Sequence, residues 1–168
     1  LSSHQVENFC NAMVTLDGLG FELNSNSIQL GLDQMSWPGR LQTLQTEPLV
    51  LYDVAHNPGG LERLVESLIQ SSQSQMTLIA AFNARKNIKP MLEILAAWQG
   101  QVLFSVFPGH SSIEKHTLIG LGVNEALICP TLEEAYSRAL QIGQGKTSIC
   151  FFGSHYIAET LYSMFQSQ

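Results

Sequence analysis

The chain has 168 residues and a formal net charge of −6, with 45% hydrophobic and 13% charged residues. This hydrophobic content is typical of a folded protein, and a domain of this length buries roughly 70% of the surface that its unfolded chain would expose. The eight Lys and Arg residues are scattered, so no basic stripe is available for a nucleic-acid backbone. There is also no run of about 18 apolar residues, which a membrane span would need. We therefore expect a globular protein that binds neither nucleic acid nor membrane.

Cysteine usage and the N-terminus bear on the cellular compartment. Cys10, Cys129 and Cys150 are odd in number and far apart, which favours buried thiols in a reducing cytoplasm over disulfides or a metal site. The first residues lack the basic and apolar regions of a signal peptide, so a cytoplasmic location is predicted. Because the chain begins with Leu and enters a helical pattern almost at once, we expect a fragment or a processed product.

Two helices are predicted before the first strand. Apolar residues recur at helical spacing over residues 5–20, where two glycines end the pattern. The polar turn at residues 24–27 suits the start of a short second helix that ends near residue 32. We therefore divide the chain into a helical lead-in, residues 1–36, and a second domain, residues 37–168.

The rest of the chain alternates short apolar strands with helices. Strands are predicted at residues 41–44, 49–52, 76–82, 102–107, 126–129 and 148–152, and helices at residues 59–71, 88–98, 113–120, 132–142 and 156–165. Strands that are apolar on both sides belong in a parallel sheet covered by helices. The predicted fold class is thus α/β, a Rossmann-like, open, mostly parallel sheet of about six strands with helices on both faces. The residue 41–44 strand is expected to form an antiparallel hairpin.

Local signals mark three of the helix starts. Ser111 with Glu114, and Thr131 with Glu134, have the spacing of a capping box, in which two side chains satisfy the free N–H groups of a helix end. Pro58 stands where proline commonly opens a helix. All three signals agree with the helices predicted from periodicity.

The residues that follow each strand are the first place to look for a site, because parallel sheets bind ligands at the carboxyl ends of their strands. Asp53 ends a buried strand, and His56 and Asn57 follow at a helix N-terminus, which suits a phosphate. From spacing alone, Asp53 could instead cap the turn and His56 could be structural. Arg40 follows Trp-Pro-Gly, and a guanidinium on so tight a turn can grip a phosphate, although a surface arginine is the commoner case.

Two other patterns are predicted to carry no site. Gly145-Lys146-Thr147 looks like the end of a phosphate-binding loop, but it precedes a strand and lacks the required earlier glycine, so a turn is predicted. The five histidines form no i, i+4 pair, and we predict no metal site on this chain.

Taken together, the motifs resemble one known family. W-P-G-R-L-Q at 37–42 and D-V-A-H-N-P at 53–58 are similar to motifs in the C-terminal half of folylpolyglutamate and dihydrofolate synthases, which belong to the Mur ligase superfamily. F-G-S-H-Y at 152–156 is similar to the segment that opens the family's last helix. The resemblance implies that residues 1–36 end a central ATPase domain and that residues 37–168 form a C-terminal domain that closes over the nucleotide.

The resemblance also implies roles for single residues. In the family, the arginine of P-G-R contacts ATP phosphates, the aspartate of the second motif holds the ribose, and an asparagine of the preceding helix contacts ATP. These residues match Arg40, Asp53 and Asn8. Asn57 joins this ATP-binding set, and His56 is assigned to the phosphate region as a catalytic residue.

The implied reaction is ATP-driven amide formation, in which a folate or dihydropteroate carboxylate becomes an acyl phosphate that the amine of L-glutamate attacks. Ser154 is the candidate for binding the amino acid. The resemblance places the phosphate-binding loop and the Mg²⁺ ligands in an N-terminal ATPase domain outside this chain, so we expect the chain alone to be an inactive monomer. Residues 85–87 read R-K-N where many relatives have an acidic D-K-D-like segment, so no role in glutamate binding or closure is assigned to them.

Two alternatives remain open at this point. One is a stand-alone Rossmann-like module that binds another nucleotide or a protein partner, although such a module needs neither motif. The other is a Mur-type peptidoglycan ligase domain, which shares the fold but differs at the F-G-S-H-Y segment and in its arginine turn.

Overall fold

The computed structural model describes residues 3–35, 37–107 and 112–165. The chain divides into two compact units, Leu1–Pro38 and Gly39–Gln168. Among the described helices, none combines the length and the apolar character that crossing a membrane requires.

The first unit contains two helices, α1 (Ser3–Gly18) and α2 (Ser25–Gln34). Asn24 caps α2, because its side chain accepts a hydrogen bond of 2.9 Å from the backbone N–H of Ser27. No residue of α2 is buried, and Val14 and Leu19 are 74% and 70% exposed. The two helices predicted before the first strand are therefore present, and several of their apolar side chains are exposed.

The second unit is built on one six-stranded sheet. Its strands are β1 (Gln42–Thr46), β2 (Leu49–Asp53), β3 (Thr77–Ala80), β4 (Val102–Ser105), β5 (Ile128–Cys129) and β6 (Ile149–Phe152). They lie in the order β1-β2-β6-β3-β4-β5. β1 pairs with β2 in an antiparallel hairpin, and the other pairs are parallel. The fold class predicted from the sequence is confirmed.

Five helices connect or follow these strands: α3 (Pro58–Gln70), α4 (Lys89–Ala96), α5 (Lys115–Gly120), α6 (Leu132–Ile142) and α7 (Ala158–Phe165). They cover both faces of the sheet. Buried side chains of α3, α4 and α5 share one core cluster with Cys150 and Phe152 of β6. Those of α6 and α7 share a second cluster with Ile149 and Phe151. The alternation along β6 explains why the strands are apolar on both sides.

The capping predictions have mixed outcomes. Thr131 caps α6 by accepting the N–H of Glu134 at 3.1 Å, as predicted, and Pro58 opens α3.

The predicted start of α5 is wrong: the helix begins at Lys115, and Glu114 occupies its cap position without a side-chain hydrogen bond. The physical reason is that Ile113 donates its N–H to the carbonyl of Phe82 at 2.9 Å, so this segment is extended along the end of β3. Ser111 lies outside the described residues.

Several predicted strands and helices are shorter in the structure than in the prediction. The predicted strand at 126–129 is reduced to β5, because Asn124 caps the N–H of Ala126 and a 3-10 turn, Glu125–Leu127, comes first. The predicted strand at 76–82 is reduced to β3. A second 3-10 turn, His155–Ile157, precedes α7. Gly145 has a positive φ of 74° just before β6, as expected for the turn predicted there.

Candidate functional site

A pocket of about 420 Å³ opens at the carboxyl ends of β2, β6 and β3. β6 lies between the other two strands, and the helices that follow β2 and β6 cover opposite faces of the sheet. Such a divergence leaves a crevice in which α/β proteins bind ligands. The lining comes from the loops after these three strands and consists of His56, Asn83, Arg85, Lys86, Gly153, Ser154, His155 and Tyr156.

The lining is basic. Arg85 and Lys86 contribute two cations, His56 and His155 contribute imidazoles, and none of the described lining residues is acidic. The side-chain oxygen of Asn83 accepts the N–H of Arg85 at 2.9 Å, which fixes the start of this loop. Carboxylates and phosphates are the ligands that such a pocket attracts.

Gly153 allows the end of β6 to pass close to the end of β3. Its φ is +113°, and a Cβ at this position would lie 2.5 Å from the carbonyl oxygen of Ala81. Glycine is therefore the residue that fits here. This close approach brings the loop after β6 against the loop after β3 and shapes the pocket.

Ser154, the predicted amino-acid contact, lies in the pocket wall and is only 3% exposed. Its hydroxyl accepts the N–H of Tyr156 at 3.2 Å, and its carbonyl accepts the hydroxyl of Tyr52 at 3.1 Å. Burial raises the pKa of Tyr52, so this hydroxyl stays protonated and donates. Ser154 therefore has a structural role, and its predicted substrate contact stays a prediction.

His56 lies at the edge of the pocket that follows β2. Its Nδ1 is 2.9 Å from the carbonyl oxygen of Val54. A carbonyl can only accept, so the contact requires Nδ1–H, and in the neutral ring Nε2 is then an acceptor. Asn57 uses its side-chain oxygen to cap α3, accepting the N–H of Gly60 at 2.8 Å. Its predicted contact with ATP stays a prediction.

The arginine turn, residues 39–42, lies against the carboxyl end of β2. Val54 donates its N–H to the carbonyl of Gly39 at 2.8 Å. Gly39 is buried with a φ of 71°, and a Cβ there would lie 2.6 Å from the side chain of Val54. Leu41 also has a positive φ, 45°. Arg40, between them, is exposed, so the turn presents its guanidinium to solvent.

Asp53 holds this turn. Its carboxylate accepts the N–H of Leu41 at 2.9 Å on one oxygen and the N–H of Ala55 at 2.8 Å on the other. Burial raises the pKa of Asp53, while these two hydrogen bonds and the nearby charge of Arg40 act in the opposite direction. Asp53 thus caps the turn, which was the structural alternative considered from the sequence. A carboxylate has further lone pairs, and the predicted ribose contact stays a prediction.

The structure therefore brings most of the predicted site residues to one edge. Arg40, Asp53, His56 and Asn57 all lie at the carboxyl end of β2, and Ser154 lies at the carboxyl end of the adjacent β6. Asn8 lies on α1, in the first unit, and its predicted contact with ATP is untested.

Sequence reasoning assigned no role to the loop after β3, although residues 83–87 follow a predicted strand. Asn83, Arg85 and Lys86 line the pocket, and His155 joins them from the loop after β6. The available signal was their position directly after a strand. No role was assigned to this loop because its R-K-N sequence differs from the acidic segment that many folylpolyglutamate and dihydrofolate synthases have there.

The fold and the pocket define an α/β domain whose sheet presents basic side chains at its carboxyl edge. Residues 39–155 match the family model described as Mur ligase, glutamate ligase domain. The chain belongs to this family.

Curated relatives carry the names that the two motifs suggested. The folylpolyglutamate synthase of Lacticaseibacillus casei is 34% identical over 52% of this chain and 20% of its own length. The dihydrofolate synthase/folylpolyglutamate synthase of Bacillus subtilis (strain 168) is 27% identical, covering 64% of this chain and 26% of the relative. The resemblance is confirmed, and the chain spans about a quarter or less of these relatives.

Solved structures share the fold. The folylpolyglutamate synthase of Mycobacterium tuberculosis complexed with ADP and AMPPCP has a TM-score of 0.83 at 19% identity, covering 98% of this chain and 40% of that one. The bifunctional synthase of Yersinia pestis complexed with AMPPNP and Mn ion has a TM-score of 0.78 at 26% identity, covering 91% and 37%. A further bifunctional synthase has Mn, AMPPNP and L-glutamate bound, with a TM-score of 0.80 at 24% identity over 92% and 38% of the chains.

Proposed function

We propose that this chain is the C-terminal domain of an ATP-dependent ligase that adds L-glutamate to dihydropteroate, to reduced folates, or to both. One observation carries the proposal: an exposed arginine on a fixed turn and a basic pocket lie at the same carboxyl edge of the sheet. Two separate basic features suit a reaction whose substrates include a nucleotide, with its phosphates, and an amino acid, with its carboxylates. The names of the relatives support the same assignment.

In this proposal, the arginine turn serves the nucleotide. Arg40 neutralises phosphate charge, Asp53 keeps the turn in place and accepts a ribose hydroxyl, and Asn57 and Asn8 contact ATP. Each charge-assisted hydrogen bond contributes about 1.5–3 kcal/mol. The solved relatives that contain ATP analogues support a nucleotide as the ligand.

In the same proposal, the pocket binds the amino acid. Arg85 and Lys86 bind the carboxylates of L-glutamate, and the buried Ser154 shapes the wall between them and β2. His56, whose Nε2 is available as an acceptor, receives a proton from the attacking ammonium group, which must become an amine before it attacks the acyl phosphate. Closure over both ligands excludes water that would hydrolyse the acyl phosphate.

The remaining components belong to the rest of the enzyme. Within residues 3–35, 37–107 and 112–165, no group of three or more His, Cys, Asp or Glu side chains could hold a metal ion. From the resemblance to the family, we propose that the Mg²⁺ ligands and the phosphate-binding loop lie in an N-terminal ATPase domain of the same protein, with residues 1–36 as the end of that domain. We also propose a monomer in the cytoplasm, where the three free cysteines stay reduced.

The test compares the longer protein with this chain alone. The longer protein should transfer labelled L-glutamate to dihydropteroate or a reduced folate in an ATP- and Mg²⁺-dependent manner, whereas the 168-residue chain should show no transfer. In a calorimetric titration, the chain alone should bind ATP at millimolar strength or weaker, which corresponds to a net binding free energy of about 4 kcal/mol or less. The few hydrogen bonds from this domain must also offset the cost of association. Tight, magnesium-independent ATP binding by the chain, or no transfer by the longer protein, would contradict the proposal.

A further inference from the structure

A hydrogen-bonded brace connects the last helix to the arginine turn. The side-chain oxygen of Gln42 accepts the backbone N–H of Gly39 at 2.9 Å and the hydroxyl of Tyr162 at 3.0 Å. Gln42 is the first residue of β1, whereas Tyr162 lies on α7, 120 positions later. A single oxygen therefore joins the two ends of the turn and anchors them to a helix.

The turn depends on such restraints. Gly39 and Leu41 both have positive φ values, a region that L-residues rarely adopt. The carboxylate of Asp53 secures Leu41 and the N–H of Val54 secures the carbonyl of Gly39. The remaining N–H of Gly39 is buried with its residue, and Gln42 is its acceptor. Because the side chain of Arg40 is exposed, the direction in which it leaves the turn is set by the backbone on either side of it.

The loop after β6, which lines the pocket and leads into α7, also supports the arginine turn. The carbonyl of Ser154 accepts the hydroxyl of Tyr52, and the Tyr52 ring lies against Gly39, 3.3 Å from where a Cβ would be. The loop that lines the pocket and the helix that follows it therefore both reach the arginine turn. The contacts run through side chains of β1 and β2.

We infer that Tyr162 and Gln42 are positioning residues that aim Arg40 at the nucleotide phosphate. The inference rests on the proposed function, because it takes Arg40 to be a phosphate ligand. Neither side chain touches a ligand in this account. Each acts through the conformation of the turn, so the effect of losing either should appear in the Michaelis constant for ATP.

The brace itself can be tested by hydrogen exchange in this chain. Tyr162→Phe removes one hydroxyl, and the Gly39 amide should then exchange about threefold to tenfold faster, the factor expected for one lost hydrogen bond. Tyr136→Phe is the matched control, since it removes a half-buried hydroxyl that contacts Gln45, beyond the arginine turn on β1. Unchanged exchange at Gly39 in Tyr162→Phe would overturn the inference.

The functional test uses the longer protein in the glutamate-transfer assay. Tyr162→Phe and Gln42→Leu should each raise KM for ATP about threefold to tenfold and leave KM for L-glutamate unchanged. Gln42→Glu keeps the accepting oxygen and should restore KM for ATP. Tyr136→Phe should resemble the wild type.

The outcomes separate the two claims. If Arg40→Ala raises KM for ATP but Tyr162→Phe and Gln42→Leu do not, the positioning inference is wrong and the proposed role of Arg40 stands. If Arg40→Ala has no effect, the proposed nucleotide site is wrong and the inference fails with it. If Arg40→Ala and Tyr162→Phe combined raise KM no more than Arg40→Ala alone, Tyr162 acts through Arg40, as inferred.

Discussion

At the scale of single residues, Gly153 offers a direct test of the pocket geometry. Gly153→Ala should lower the free energy of unfolding by about 3 kcal/mol, because it combines a strained backbone with a collision against the Ala81 carbonyl, 2.5 Å from the new Cβ. Urea unfolding measures the change. Gly122→Ala is the control: φ there is +91° but nothing lies within 4 Å of a Cβ, so about 1–2 kcal/mol is expected. Equal losses in the two variants would contradict the close approach of the two loops.

The buried carboxylate of Asp53 predicts a pH dependence of stability. Burial raises the pKa of Asp53 above 3.8 despite its two hydrogen bonds and the charge of Arg40. The folded state therefore holds this proton more tightly than the unfolded state. The resulting stabilisation is fully present below the ordinary pKa and is lost as the pH rises through the folded-state pKa.

The measurement compares the wild type with Asp53→Asn by urea unfolding from about pH 3.5 to 6.5. Asn cannot ionise, and its single side-chain oxygen leaves one of the two N–H groups unpaired at every pH. The stability of the wild type relative to Asp53→Asn should therefore decrease as the pH rises. A relative stability that increases with pH would show that the folded-state pKa is lowered instead.

Some of the site could be predicted at this scale and some could not. Arg40 and Asp53 were predicted because each stands in a short motif beside a strand end, and the strand-end rule brings such residues to one edge. The contact of Gln42 with Tyr162 could not be predicted, because it depends on where α7 packs against β1. Arg85 and Lys86 satisfied the strand-end rule, but only the fold shows that their loop faces the loop after β6.

At the scale of elements, the helix caps can be tested against each other. Thr131→Ala should cost about 1 kcal/mol of stability, because the N–H of Glu134 loses its acceptor at the start of α6. Glu114→Ala, at the cap position of α5, should change stability by less than about 0.5 kcal/mol, because Glu114 makes no capping hydrogen bond and its ion pair with His116 is exposed. Denaturant unfolding of both variants is the measurement, and a larger loss for Glu114→Ala would contradict the described start of α5.

The order of most strands and helices could be predicted from hydrophobic periodicity, since each strand of the parallel part of the sheet is apolar on both sides. The boundaries depended on tertiary contacts. Ile113 satisfied the helical pattern, yet its hydrogen bond to Phe82 keeps it extended. The placement of β6 between β2 and β3 also required the structure, because no local signal specifies which strands pair.

At the scale of the whole molecule, the two units differ in how much of their apolar surface is covered. The sheet of Gly39–Gln168 has a core cluster on each face, whereas α2 has no buried residue and Val14 and Leu19 on the first unit are largely exposed. Large exposed apolar side chains grouped on one short segment commonly mark a surface that another part of a protein covers. This agrees with the proposal that residues 1–36 end a domain whose remainder lies outside this chain.

The central claim is that this domain presents two anion sites, one for the nucleotide and one for the amino acid. The most direct test measures KM for ATP and for L-glutamate in variants of the longer protein. Arg40→Ala should raise KM for ATP about tenfold or more and leave KM for glutamate unchanged, and Lys86→Ala should do the reverse, because each removes one charge-assisted hydrogen bond. Arg63→Ala and Lys146→Ala, exposed and outside the pocket lining, should leave both constants within about twofold. If Arg40→Ala and Lys86→Ala changed neither constant, or changed both constants alike, the two-site account would be contradicted.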